Sequence, residues 1–152
     1  MSNYATPAFE RPSATRLRAR LTEPRRLIQF VVGPRQVGKT TLVQQVVSGS
    51  VTPSLYASAD EPALRDTAWL SAQWEKARQV AAESGNAGAI LVIDEVQKVA
   101  GWSETVTRLW DEDTRTGAPL RAVLLGSAPD ATGAHRKPRR AVRADPSGTF
   151  GR

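Results

Sequence analysis

The chain predicts an α/β domain, a parallel sheet with helices on both faces, and three observations carry that expectation. Residues 27–32, 89–93 and 120–125 are apolar runs rich in β-branched residues and interrupted only by Gln29 and Arg121. Strands buried on both faces of a parallel sheet have this composition. Stretches with apolar residues at helical spacing lie between the runs, as crossovers between parallel strands require. The runs lead into Gly33, the pair Asp94-Glu95 and the pair Gly126-Ser127. Ligands gather at the carboxyl ends of strands in open α/β sheets, so these tips are where chemistry is expected.

The elements follow in order. Residues 1–15 have neither apolar period nor core and read as a flexible lead, and residues 16–21 are short and helical in composition. After the first strand, Gly33-Pro34-Arg35-Gln36-Val37-Gly38-Lys39-Thr40 fits the phosphate-binding pattern G-x-x-x-x-G-K-[ST] without a mismatch. Leu42, Val43, Val46 and Val47 then recur at helical spacing, so strand, glycine loop and helix stand in the order the pattern needs. A glycine-rich surface turn would also match the bare pattern, but not its setting. The glycines let the backbone curl until consecutive N–H groups point inward over the positive end of the helix. Lys39, expected to face solvent without nucleotide, reaches the β- and γ-phosphates, Thr40 places its hydroxyl on a bridging Mg²⁺, and Thr41 completes the residues expected at the nucleotide.

Ser54-Leu55-Tyr56-Ala57-Ser58 reads as a second strand ended by Asp60-Glu61-Pro62. A helix over 66–83 carries Leu70, Trp74, Ala77 and Ala81 on one face and stops at Ser84-Gly85-Asn86-Ala87-Gly88. Another spans 103–115 with Val106, Leu109 and Trp110 inward. Trp69, Trp74, Trp102 and Trp110 fit core or rim positions better than a clamp on adenine.

Ala89-Ile90-Leu91-Val92-Ile93-Asp94-Glu95 reads as a central strand whose tip carries two acids. Asp94 holds Mg²⁺ directly or through water, and Glu95 orients and deprotonates the water that attacks the γ-phosphate. The plainer reading, acids capping a following turn, is weakened by the phosphate loop upstream. Ser127, at the tip of the third run, stands beside the γ-phosphate, although Gly-Ser is also an ordinary turn dipeptide.

The segments GPRQVGKTTL, ILVIDEVQKVAGWSE and LRAVLLGSA together resemble the prokaryotic AAA-type ATPases in which such a domain precedes a C-terminal domain of unknown function. The resemblance spans residues 16–128 and includes Pro34-Arg35-Gln36, Gln97-Lys98, Gly101-Trp102 and Gly126-Ser127 besides the generic motifs. It implies a P-loop NTPase-like fold, ATP with Mg²⁺, Lys39 and Thr40 as phosphate and metal ligands, and Asp94 and Glu95 as metal and water residues. It also implies that Ser127 senses the γ-phosphate. No Asn-Lys-x-Asp run of the kind that reads guanine occurs.

At 152 residues, with 40% hydrophobic and 24% charged residues, the chain suits one domain with its own core. It has no cysteine, which rules out disulfides and thiolate metal sites and fits a cytoplasmic setting. No apolar stretch approaches the ~20 residues of a membrane span, and residues 1–15 lack the core of a signal peptide. The single His135 lies in a basic, proline-containing tail and reads as solvated. The net charge of +6 is uneven: residues 1–40 carry eight Arg or Lys against Glu10 and Glu23, residues 129–152 carry six against Asp130 and Asp145, and the middle is acidic. Arg11, Arg16, Arg18, Arg20, Arg25 and Arg26 offer a phosphate-contacting face, but no aromatic residues interleave for base stacking, so a solvated lead-in helix is preferred.

From Pro129 onward neither period persists and large apolar residues are few, so 129–152 is expected to be a disordered basic tail in place of the further helix, strand and lid the resemblance implies. Reading the codons of residues 133–145 one nucleotide forward permits Gly-Leu-Thr-Glu-Ser-Leu-Ala-Gly-Arg-Phe-Glu-Leu-Ile, which resembles the expected family segment. The tail therefore reads as out of frame and the domain as truncated after Ala128, its sheet incomplete at the C-terminus. Three functions stay open: Mg²⁺-dependent ATP binding with slow hydrolysis, a nucleotide-binding fragment without significant hydrolysis, and a DNA-associated or protein-interaction module using the basic N-terminal arm. Self-association or a protein partner stays open, nucleic acid is not favoured, and no membrane is expected.

Overall fold

The computed structural model describes residues 12–33, 38–60 and 65–127, with the backbone of 141–144 and 150–151. Helices α1 (Pro12–Thr22), α2 (Lys39–Ser48), α3 (Thr67–Glu83) and α4 (Trp102–Thr116) alternate with strands β1 (Gln29–Gly33), β2 (Ser54–Ser58), β3 (Ala89–Asp94) and β4 (Leu120–Ser127). These four strands are parallel, in the order β2-β3-β4-β1. The expected α/β sheet is present.

Successive strand side chains point to opposite faces, and here both faces are covered. Leu91, Ile93 and Leu124 pack with Leu70, Trp74, Val106 and Leu109 of α3 and α4. Ile90, Val92, Val123 and Leu125 pack with Leu17 of α1 and Leu42, Val43 and Val46 of α2. All six residues of β3 are buried, which accounts for its unbroken apolar sequence. Of these, each fully buried Ile, Leu or Val side chain contributes about 1.5–3 kcal/mol.

Helix ends follow local chemistry. Proline suits the first helical position, and α1 starts at Pro12 with Ser13 and Ala14 buried, which moves the end of the expected lead from residue 15 to residue 11. Residues 1–11 lie outside the described residues. Asp66 caps α3, its Oδ1 accepting from the Trp69 N–H at 2.8 Å. Trp74, Trp102 and Trp110 are buried and Trp69 packs against the core, as expected of core or rim residues.

Helices α3 and α4 are clipped by a buried acid that helical periodicity does not reveal. Asp113, only 1% exposed, accepts from Trp74 Nε1 at 2.8 Å and from Arg78 Nε at 2.7 Å. Arg78 reaches on to the Leu109 carbonyl and Glu112. Asp113→Ala leaves the Trp74 N–H and the Arg78 guanidinium without this partner, and we expect a loss of about 3 kcal/mol, read by urea unfolding. A loss below about 1 kcal/mol contradicts the clip.

Arg25 does not join a phosphate-contacting face. Its guanidinium lies 3.6 Å from the centre of the Trp110 ring, and Nε donates to the Leu120 carbonyl at 2.6 Å. Burial lowers its pKa, against the pull of Asp113.

The backbone of β5 (Ala141–Ala144) lies parallel to β1, with Phe30 opposite Ala141 and Val32 opposite Arg143, and β6 (Phe150–Gly151) pairs antiparallel to β5. β1 presents a second edge beyond β4, and unpaired main-chain groups recruit a strand with little regard to side chains. The rest of the tail, His135 included, lies outside the described residues. Among the described residues, no helix is long and apolar enough to cross a membrane.

Candidate functional site

Parallel pairing brings the strand tips together. Gly33 at the end of β1 lies opposite Ser127 at the end of β4, and Asp94 at the end of β3 lies opposite Ser58 of β2. Helix α2 leaves β1 through the glycine loop, so its first turn faces the same tips. Gly38 precedes α2 with φ 78°, a left-handed conformation that glycine adopts without steric cost. Pro34, Arg35, Gln36 and Val37 lie outside the described residues.

Lys39 corrects the expectation of a solvent-facing side chain. It is 7% exposed, and Nζ donates to the Gly33 carbonyl at 3.1 Å. The ammonium folds back onto the last carbonyl of β1, taking its methylenes out of water. Thr40 Oγ1 donates to Asp94 Oδ2 at 2.7 Å. Thr41 is exposed in the first turn of α2.

Asp94 is 6% exposed, and its Oδ2 accepts a second hydrogen bond, from the Tyr56 hydroxyl at 2.6 Å. Burial, then the bond to Asp94, raise the Tyr56 pKa and keep the phenol protonated. Thr40 and Asp94 juxtapose one hydroxyl and one carboxylate, hard oxygen donors of the kind Mg²⁺ takes while keeping water and phosphate oxygens for its other positions. Among the described residues no group of three or more His, Cys, Asp or Glu forms a metal cage. The donor set thus fits Mg²⁺ shared with phosphate better than a closed Zn²⁺ or Ca²⁺ site.

Glu95 begins where β3 stops. Its φ of 55° is left-handed, a conformation L residues seldom adopt, and it turns the chain into a 3₁₀ turn over Val96–Lys98. The carboxylate accepts from Ser127 Oγ at 3.0 Å through Oε1 and from Gln97 Nε2 at 2.5 Å through Oε2. Ser127 is 1% exposed. The structure therefore brings together Gly33, Gly38, Lys39, Thr40, Asp94, Glu95 and Ser127.

Sequence reasoning missed the bonds from Tyr56 to Asp94 and from Gln97 to Glu95. Tyr56 reaches the site because its strand pairs with β3 in a register that places it two residues before the partner of Asp94. Nothing local reports that register. For Gln97 a signal existed, its place two residues after Glu95, but a position alone does not say where the amide turns.

No curated protein matches the chain. A family model for the AAA domain matches residues 25–143, more than half of the 152 residues, and spans every site residue described above. The chain belongs to the AAA domain family.

Proposed function

We propose that the chain binds ATP with Mg²⁺ at the tips of β1, β3 and β4 and hydrolyses it slowly. The observation that carries this reading is the 2.7 Å contact between Thr40 Oγ1 and Asp94 Oδ2, with Glu95 the next residue along the chain. With nucleotide bound, the loop Gly33, Pro34, Arg35, Gln36, Val37 and Gly38 surrounds the phosphates, and its main-chain N–H groups, all but that of Pro34, which has none, are the donors. Lys39 exchanges the Gly33 carbonyl for β- and γ-phosphate oxygens, and Thr41 follows at the nucleotide. Thr40 and Asp94 hold Mg²⁺, which when bound neutralises charge on the phosphates. Glu95 orients a water and accepts its proton, and Ser127 hydrogen-bonds the γ-phosphate. Turnover is slow because the sequence offers no arginine assignable to the γ-phosphate, a contribution worth about 10³-fold or more in rate.

Phosphate release from ATP, followed with and without Mg²⁺, tests the reading. We expect slow release that disappears when Mg²⁺ is chelated. Mg·ATP binding without release supports the nucleotide-binding fragment instead, and absence of both removes the proposal.

A further inference from the structure

Four observations meet at Gln97. Its Nε2 donates to Glu95 Oε2 at 2.5 Å, while its Oε1 is buried with no hydrogen-bond partner. Turning the amide over would set Oε1 against the Glu95 carboxylate, so the network fixes the assignment and leaves the carbonyl unsatisfied. A side chain that gives up one buried hydrogen bond to make another needs an explanation. The third observation is the room the amide occupies. A Cβ at Gly126 would lie 3.1 Å from Gln97 Oε1 and 3.3 Å from Phe30 Cζ, so the amide rests on the bare backbone of β4. The fourth is rigidity: Val96 and Val99, both 0% exposed, anchor the turn, and the Lys98 N–H donates to the Glu95 carbonyl at 3.0 Å.

We infer that Gln97 is a positioning residue for Glu95, and that Gly126 is glycine to admit it. The inference rests on the hydrolysis reading above and adds a residue to it. Glu95 sits in a left-handed conformation that surrounding structure must hold, and it has two hydrogen-bond holders, Ser127 and Gln97. A hydroxyl has one proton to donate. Once Ser127 gives it to a γ-phosphate oxygen, Gln97 alone keeps the Glu95 carboxylate on its water.

Gln97→Met tests this, because methionine fills similar space and lacks the amide donor. We expect turnover to fall about tenfold or more, with ATP affinity within about twofold of wild type, the signature of lost orientation rather than lost binding. Gly126→Ala should give the same split. Wild-type turnover in Gln97→Met beside an inactive Glu95→Gln overturns the inference, since packing then suffices. A nucleotide-free readout stands apart from hydrolysis: the melting temperatures of Glu95→Ala, Gln97→Met and the double variant. Coupling predicts that the double variant melts close to the worse single variant, and additive losses overturn the pairing. Should wild type release no phosphate, the hydrolysis reading fails and this melting cycle alone decides whether Gln97 holds Glu95.

Discussion

Lys39→Ala is expected to abolish detectable ATP binding while the far-UV circular dichroism stays that of wild type. Lys39 is the side-chain cation at the mouth of the loop, with Nζ 3.1 Å from the Gly33 carbonyl that the phosphates replace. Hydrogen bonds between charged partners contribute about 1.5–3 kcal/mol each, so losing an ammonium that serves two phosphates weakens binding by about 10²-fold or more. The fold survives because alanine is the best helix former and position 39 is in the first turn of α2, where the N–H has no helical partner to lose. The buried methylenes make a modest stability loss part of the expectation. A fluorescent-nucleotide titration reads the effect, and unchanged affinity in a folded variant overturns the phosphate-loop assignment.

Asp94 and Glu95 are adjacent in sequence but should fail differently. Asp94→Asn keeps an oxygen for Thr40 and Tyr56 yet removes the charge facing the metal, so the Mg²⁺-dependent part of ATP binding should weaken about tenfold or more. Glu95→Gln keeps a side chain of the same shape beside Ser127 and Gln97 and cannot take a proton. Mg·ATP binding should persist and turnover should fall about 10²-fold or more. Equal loss of binding in both variants makes the acids structural, and faster turnover in Glu95→Gln contradicts its assignment as base.

Much of this was legible in the sequence because two-sided burial leaves a plain record. β3 is apolar at five successive positions because both of its faces are covered, and the residue that ends it is the acid that meets Thr40. The phosphate-loop spacing likewise fixes which residues open α2. What stayed hidden depends on partners far along the chain. Tyr56 meets Asp94 through strand register, Asp113 is buried because Arg78 and Trp74 of another helix satisfy it, and Arg25 is taken up by Trp110 and the Leu120 carbonyl. The burial of Lys39 was hidden because its ammonium donates to the Gly33 backbone carbonyl, a partner that no motif mentions. The backbone of Ala-Val-Arg-Ala, which has no strand pattern, pairs with the main-chain edge of β1.

Isothermal titration of the wild-type chain with ATP, with Mg²⁺ and then with chelator, tests whether Thr40 and Asp94 hold the Mg²⁺ that joins ATP to the strand tips. We expect one site per chain and an affinity that Mg²⁺ tightens about tenfold or more. Equal affinity with and without Mg²⁺, or no binding in either condition, would contradict it.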